Sequence, residues 1–289
     1  MQQTTKGLSC NALKWLGVLF MTIDHIGAFI PGTPLFLRYI GRLASPLFFF
    51  CVIEGFTHTR SRKTYLLRMY GMAQLMTLID ILLPMVMHQP RTIPNNVFLE
   101  IFSMVFLVYL LTKTDGCRWK QILLLIAFAV YQLGIPLILD QILFYESPAL
   151  HQMAMSLLGC SAEGIAPTDY LILVFWWCRK GENRKKRLIL SFIVLFAFEI
   201  VVRVLQLYAY LGSFIVNLIG TEMISFDMHY NGTVFERAFI TEFYWMMFLS
   251  LPLLLLYNGE RGKQVKPFFY AYYPLHIMLL YCIGVWVQS

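Results

Sequence analysis

The chain has 289 residues, 58% of them hydrophobic and only 13% charged, with a formal net charge of +7. A soluble domain carries about a quarter charged residues, so this composition excludes an ordinary soluble enzyme and a disordered chain. The six cysteines follow no framework spacing, which excludes a disulfide scaffold.

Apolar stretches follow one another at about 9–30, 36–57, 66–87, 97–112, 121–139, 165–178, 188–218, 239–257 and 268–287. Most meet or approach the roughly 20 residues needed to cross ~30 Å of hydrocarbon. Most of the basic residues fall in four connections between them. These are Arg60, Arg62, Lys63 and Arg68; Lys113, Arg118 and Lys120; Arg179 to Arg187; and Arg261 to Lys266. The other connections are acidic or nearly neutral. With the N-terminus inside, every basic cluster lands on the cytoplasmic face in alternation, as the positive-inside rule requires. The sequence therefore predicts an all-α polytopic bundle of nine or ten spans in the cytoplasmic (inner) membrane, as one integral-membrane domain over 1–289. The positive charge marks a membrane face, and nucleic acid is not needed as a partner to explain it.

Ionisable groups inside spans cost several kcal/mol, about 2.5–3.5 on the mildest scale, and are functional candidates by default. In the first span they are Lys14, Asp24 and His25. Eleven residues separate Lys14 from His25, close to three full turns, so the two share a face about 16 Å apart along the axis. Gly17, Met21 and Ala28 continue that face. Counting from the Pro31–Pro34 turn, His25 and Arg42 lie at matching depth in a hairpin. The same count matches Lys14 with Glu54 near the inner end. The hairpin is expected to hold an outer cluster of Asp24, His25 and Arg42 and an inner Lys14–Glu54 pair.

Asp80, Glu100 and Glu242 fall towards the outer ends of their spans, so the outer half is expected to be polar. Asn95-Asn96 precedes the fourth span, as a polar mouth residue or a helix cap. The last span carries Tyr273-Pro274-Leu275-His276, where the proline can kink the helix and release a carbonyl near the histidine. No Walker loop, GxGxxG, HExxH or GxSxG motif occurs. His229 and Asp227 lack the companions of a metal site, and no metal is expected.

In order, these pieces resemble the TraX family of integral-membrane acetyltransferases. The resemblance rests on KWLGVLFMTIDHIG from Lys14 to His25, on GRLASPLFFF with Arg42, on NNVFLEIF with Asn96, and on FYAYYPLHIMLLY with Tyr273 and His276. The Lys14-x10-His25 start is similar to that of the wider group of membrane acyltransferases that modify surface glycans. The resemblance implies acetyl-CoA as donor and the N-terminus of a pilin-like peptide, or a glycan, as acceptor. The segments 140–168 and 219–238 match no motif and are the expected shapers of acceptor choice.

On that reading the donor phosphates meet Arg60, Arg62, Lys63 and Arg68, with Lys14 deeper. His25 is the general base, with Asp24 orienting its imidazole. Arg42, Asn96 or His276 stabilises the oxyanion, while Tyr273, Glu54, Asp80 and Asn96 are polar groups of the acceptor side or of the frame. An acetyl-His25 intermediate is the covalent alternative. Two other classes fit the same charges. A secondary transporter would use Asp24, His25 and Arg42 as a proton or substrate relay. A scaffold subunit would use them as glue between helices.

Overall fold

The computed structural model describes residues 6–89, 93, 96–143, 147–160, 170–179, 183–205, 233, 235–240, 243–263 and 266–288. Among them the chain is helical and contains no strand. The helices are α1 (Cys10–Phe29), α2 (Phe36–Gly41), α3 (Ala44–Thr57), α4 (Arg62–Val86), α5 (Val97–Lys113), α6 (Arg118–Leu143), α7 (Pro148–Leu158), α8 (Tyr170–Arg179), α9 (Arg184–Val204), α10 (Leu251–Leu255) and α11 (Lys266–Gln288). A π-helical turn (Glu236–Ile240) and a 3-10 stretch (Phe243–Ser250) precede α10.

Each apolar stretch read from the sequence contains helix. Among the described residues five helical segments are long and apolar enough to cross a membrane: Cys10–Phe29, Phe36–Thr57, Arg62–Val86, Arg118–Leu143 and Pro267–Gln288. Of the stretch at 165–178 the described residues are those of α8, about 15 Å of helix at ~1.5 Å per residue. Between 140 and 168 lies α7, a short helix in an apolar but interrupted part of the sequence.

Local chemistry sets the boundaries. Ser9, Ser61, Asn96 and Ser147 each cap a helix, their side chains accepting from the backbone N–H three residues on. α7 starts on Pro148 and stops at Gly159 in the left-handed conformation, φ 73°.

α1 packs against α2, α3 and α11. The α2–α3 segment folds back along it after the Pro31-Gly32 turn, and α11 lies on another side. α4 and α5 form a hairpin, α8 and α9 pack beside α3, and α6 and α7 flank α4 and α5. α1 and α11 run parallel: Trp15 meets Phe268, Thr22 meets Tyr272, His25 meets His276 and Phe29 meets Tyr281 in the same order along both helices. Both therefore enter from the same side. Where both cross a membrane, the number of crossings from α1 through α11 is odd, as nine is and ten is not.

In an apolar solvent, helix association depends on close packing and polar contacts. Gly17 faces the Phe48 ring, and a Cβ there would come within 3.1 Å of it. Gly41 lies so close to Asp24 that any Cβ would collide with it. Polar pairs join the other helices: Thr22 to Tyr272 at 2.6 Å, Thr77 to Ser156 at 2.7 Å, and Gln132 to the Gly159 carbonyl at 3.0 Å. All six cysteines are free thiols, and Cys10, Cys51, Cys160 and Cys178 are buried.

The contrast between Gly41 and Gly134, which has nothing within 4 Å, gives a paired prediction. Gly41→Ala should cost about 1–3 kcal/mol through overpacking, read as earlier thermal unfolding in detergent. Gly134→Ala should unfold no earlier than the parent protein.

Candidate active site

One cavity of about 820 Å³ runs along the face of α1 that carries Lys14 and His25. From this helix Cys10, Asn11, Lys14, Val18, Met21, Asp24, His25, Ala28 and Phe29 line it. Spacings of three and four residues make this one helical stripe. From Cys10 to Phe29 it extends about 28 Å at ~1.5 Å per residue. The face read from the sequence is the cavity wall, apart from Gly17, which meets Phe48.

At one end the walls include Arg68, Arg261, His58 and Thr59. Arg68 lies over the Tyr65 ring, and Lys14, one turn further in, lies over Phe269 at 5.6 Å. Among the described residues none of Lys14, Arg68 and Arg261 forms an ion pair. Arg60, Arg62 and Lys63 do not line the cavity, which departs from expectation. Arg62 donates to Thr112 Oγ1 at 3.3 Å and covers Phe56, a contact that ties α4 to α3 and α5. Lysine and arginine at the start of α4 point according to helical phase, and only Arg68 has the phase that faces inward.

At the other end His25 lies beside Phe29, Tyr273, Arg38 and Arg42. The outer cluster of Asp24, His25 and Arg42 is present, but its wiring differs from expectation. Consecutive residues on a helix point ~100° apart, so Asp24 cannot orient the imidazole next to it. Asp24 turns to α2 instead. Its Oδ2 accepts from Arg38 Nη1 at 2.8 Å, its Oδ1 is 3.7 Å from Arg42 Nη2, and its carbonyl accepts from Arg38 at 3.1 Å.

The imidazole of His25 is met by His276, with His25 Nδ1 2.6 Å from His276 Nε2. The opposite ring nitrogen of His276, Nδ1, lies 2.8 Å from the Tyr272 carbonyl. The proline of α11 does release a carbonyl by removing an N–H, but helical spacing makes it that of Tyr270, whereas the histidine uses Tyr272. His276 stands behind His25 and off the cavity wall. It is therefore placed to support His25 from behind and not to meet a group bound in the cavity. Tyr273 lines the cavity edge-on to His25 at 6.3 Å, with its hydroxyl accepting from the Val97 N–H at 3.4 Å.

One further expectation changes, and two open readings are narrowed. The Lys14–Glu54 pair does not form. Glu54 is buried, accepts from Arg184 Nη2 at 2.7 Å and from the Tyr257 hydroxyl at 3.3 Å, and forms an ion pair with Arg179 at 2.9 Å. Those arginines end α8 and begin α9, so Glu54 pins that hairpin to α3. Matching depths placed Lys14 and Glu54 at the same level; only the third helix pair shows where the carboxylate turns.

Asn96 caps α5 and donates to the Ala73 carbonyl and to Thr77 Oγ1, each at 2.8 Å. It is a structural cap, away from the cavity. Asp80 is fully buried on α4, also off the cavity. Among the described residues neither of its carboxylate oxygens has a hydrogen-bond partner. Glu100 does line the cavity. Asn95, Asp227, His229 and Glu242 lie outside the described residues, as do much of 140–168 and most of 219–238.

Arg38 and Arg261 were missed as site residues. Arg38 is legible afterwards as one turn before Arg42 on the same helical face, whereas nothing in the sequence places Arg261 at the start of α1. The structure does so by pairing Leu8 and Asn258 through backbone bonds and by letting the Arg261 carbonyl accept from the Asn11 N–H.

Fold and site together define a helical membrane protein whose helices enclose a long cavity, cationic at one end and carrying a buried histidine pair at the other. The chain belongs to the TraX family: the family model described as TraX protein matches residues 9–284, nearly its whole length. No curated protein and no solved structure matches it.

Glu54 also lines the cavity. Glu54→Ala leaves two guanidiniums without their carboxylate and should destabilise the protein by about 1–3 kcal/mol, less than a fully dry pair because both arginines are partly exposed. Thermal unfolding in detergent should shift down.

Proposed function

We propose that the protein is an acetyltransferase that passes an acetyl group from acetyl-CoA to an amine or hydroxyl of a peptide, pilin-like or glycan acceptor. The observation that carries this reading is the continuity of a single cavity from the three cations Lys14, Arg68 and Arg261 to His25. An anionic nucleotide with a slim, uncharged thioester arm has the matching shape and charge. The arm fits the ~16 Å between Lys14 and His25. On this reading the cationic end faces the cytoplasm, where acetyl-CoA is made, and the acceptor approaches from the opposite side of the cytoplasmic membrane.

The donor phosphates would rest on Arg68 and Arg261, with Lys14 within reach of the pyrophosphate. These cations suit the task because no carboxylate among the described residues pairs with them, whereas Arg179 and Arg184 are committed to Glu54. The backbone N–H groups of Cys10 and Asn11 at the start of α1 are occupied by the Glu260 and Arg261 carbonyls. Phosphate recognition therefore falls to side chains, and the open helix-terminus site is not used.

The thioester carbonyl is brought to His25. His25 removes the proton from the acceptor amine or hydroxyl as its heteroatom bonds to the carbonyl carbon. Negative charge develops on the carbonyl oxygen, where Arg38 and Arg42 offer donors worth a few kcal/mol in a site shielded from water. Asp24 holds both guanidiniums in place. The tetrahedral adduct collapses by breaking the C–S bond, the thiolate takes the proton from His25, and acetylated acceptor and free CoA leave. The base and the donor's thiolate thus complete the proton balance between them.

Two measurements test the reading. Purified protein with labelled acetyl-CoA and envelope extract should transfer label to an acceptor, and His25→Ala should lower turnover by about 10²–10⁴-fold without loss of the folded state. Full transfer by His25→Ala, or substrate flux in proteoliposomes without consumption of acetyl-CoA, would falsify it, the latter in favour of a transporter. Separately, Arg68→Gln and Arg261→Gln should each raise KM for acetyl-CoA roughly 3- to 10-fold, as for partly exposed charge contacts, with kcat little changed.

A further inference from the structure

We infer that His276 is a positioning residue that fixes the tautomer of His25, so that Nε2 is the nitrogen that acts as base. The inference is carried by the chain of contacts from the Tyr272 carbonyl through His276 to His25. The role of Nε2 in turnover rests on the acetyl-transfer reading, but the tautomer does not.

The two imidazole planes are within 16° of parallel, their centroids are 4.9 Å apart and the facing nitrogens are 2.6 Å apart. Rings in that relation lie edge to edge in nearly one plane, the disposition of a linear N–H···N bond. A hydrogen bond needs one proton between the two nitrogens, and either ring could supply it. The carbonyl of Tyr272 removes the ambiguity. A carbonyl oxygen only accepts, so His276 Nδ1, at 2.8 Å, carries a proton and donates it there. A neutral His276 then has its lone pair on Nε2 and can only accept from His25. His25 Nδ1 must therefore be the protonated nitrogen of that ring, and the lone pair of a neutral His25 falls on Nε2.

The surroundings hold this arrangement still. Both histidines are buried. His276 is flanked by the Tyr272 ring, 9° from parallel at 4.8 Å, and by Tyr273 edge-on at 5.6 Å. The Tyr272 hydroxyl is in turn tied to Thr22 of α1 at 2.6 Å, so the carbonyl that starts the chain belongs to a residue fixed to the helix that carries the base. His25 lines the cavity and His276 does not. The contact thus engages Nδ1 from behind the wall, where no substrate reaches. Because the far end of the chain is a carbonyl, it takes no proton onward. The pair orients and stabilises a charged His25, and is no exit path for the proton that His25 takes.

The experiment uses full-length protein in detergent or bilayer with 15N-labelled histidine side chains, and the His25 signals are assigned by their loss in His25→Asn. We expect His25 with a protonated Nδ1 and a bare Nε2. A protonated Nε2 with a bare Nδ1 overturns the inference, whether or not the protein transfers acetyl groups. Two variants then read the role in turnover. The Gln side chain of His276→Gln can accept from His25 through its carbonyl oxygen and donate to Tyr272 through its amide. The ammonium of His276→Lys can only donate, and so forces the His25 proton to Nε2. Under the inference His276→Gln keeps at least about tenfold more kcat than His276→Lys, since a wrong tautomer costs on the order of 10²–10⁴-fold. The expected His25 signals with equal turnover in folded Gln and Lys variants would overturn the tautomer's role in turnover and leave the tautomer itself intact. No transfer by the parent protein, with the expected signals, would overturn the acetyl-transfer reading instead.

Discussion

A charge surrounded by hydrocarbon must find its counterpart inside the protein, and the ion pair of Asp24 with Arg38 and Arg42 is where this bundle meets that requirement. Three charged groups within one hairpin would each cost several kcal/mol alone. Together they join α1 to α2 through two guanidiniums and one carboxylate. The join demands that α2 come very close, which Gly41 permits by presenting no side chain to Asp24. Its consequence reaches the next residue. Once Asp24 is turned towards α2, helical phase turns His25 away by ~100°, onto the cavity face and against α11. The Asp-His dipeptide therefore serves two helix contacts, one per residue, and contains no internal catalytic dyad.

The same requirement explains why α11 belongs with α1. An imidazole in the bundle needs a polar partner, and so does a second one; each histidine supplies the other's. Parallel packing puts Thr22 and His25 at the levels of Tyr272 and His276, so two polar contacts fall one turn apart along a single seam. Packing of this kind makes α1 a shared wall, with ion pairs to α2 on one side, histidine contacts to α11 on another, and the cavity between. At the cationic end the seam closes differently. The residues before α1 pair with those after α10, and Arg261 is held at the mouth by backbone bonds. Among the described residues the cations there pair with no carboxylate, whereas Arg179 and Arg184 of the more basic α8–α9 connection are paired with Glu54.

What the sequence made legible was whatever one helix decides alone. The spacing of Lys14 and His25 is a property of α1, and the cavity stripe follows it closely. The depth of Arg42 follows from a tight turn and was also readable. The segments of helix came from apolar length. What was hidden depends on a third partner. Glu54 and Lys14 share a level, yet the carboxylate goes to Arg179 and Arg184, more than a hundred residues away in sequence. Asn96 carries both a motif and a cap pattern, and only the neighbouring Ala73 carbonyl and Thr77 show that the cap accounts for it. The basic residues Arg60, Arg62 and Lys63 were grouped with Arg68 by composition, but helical phase separates them by direction.

The end of the histidine chain on a carbonyl constrains the chemistry that the site can perform. A relay that ended on water or on a carboxylate would let the proton leave His25 by the back, and the site could then serve any net deprotonation. Here the back of His25 is closed by a donor–acceptor chain in which Tyr272 can take nothing. A proton accepted by His25 leaves through the cavity, to a group that becomes basic there during the same turnover. Acyl transfer from a thioester creates such a group when the C–S bond breaks, because the departing thiolate lies in the cavity that His25 lines. Steady proton transport does not create one, since it needs a second conducting side. On the proposed reading, the wall that would make His25 a defined base also suits the site to group transfer, in which the proton borrowed from one substrate returns on the leaving group of the other.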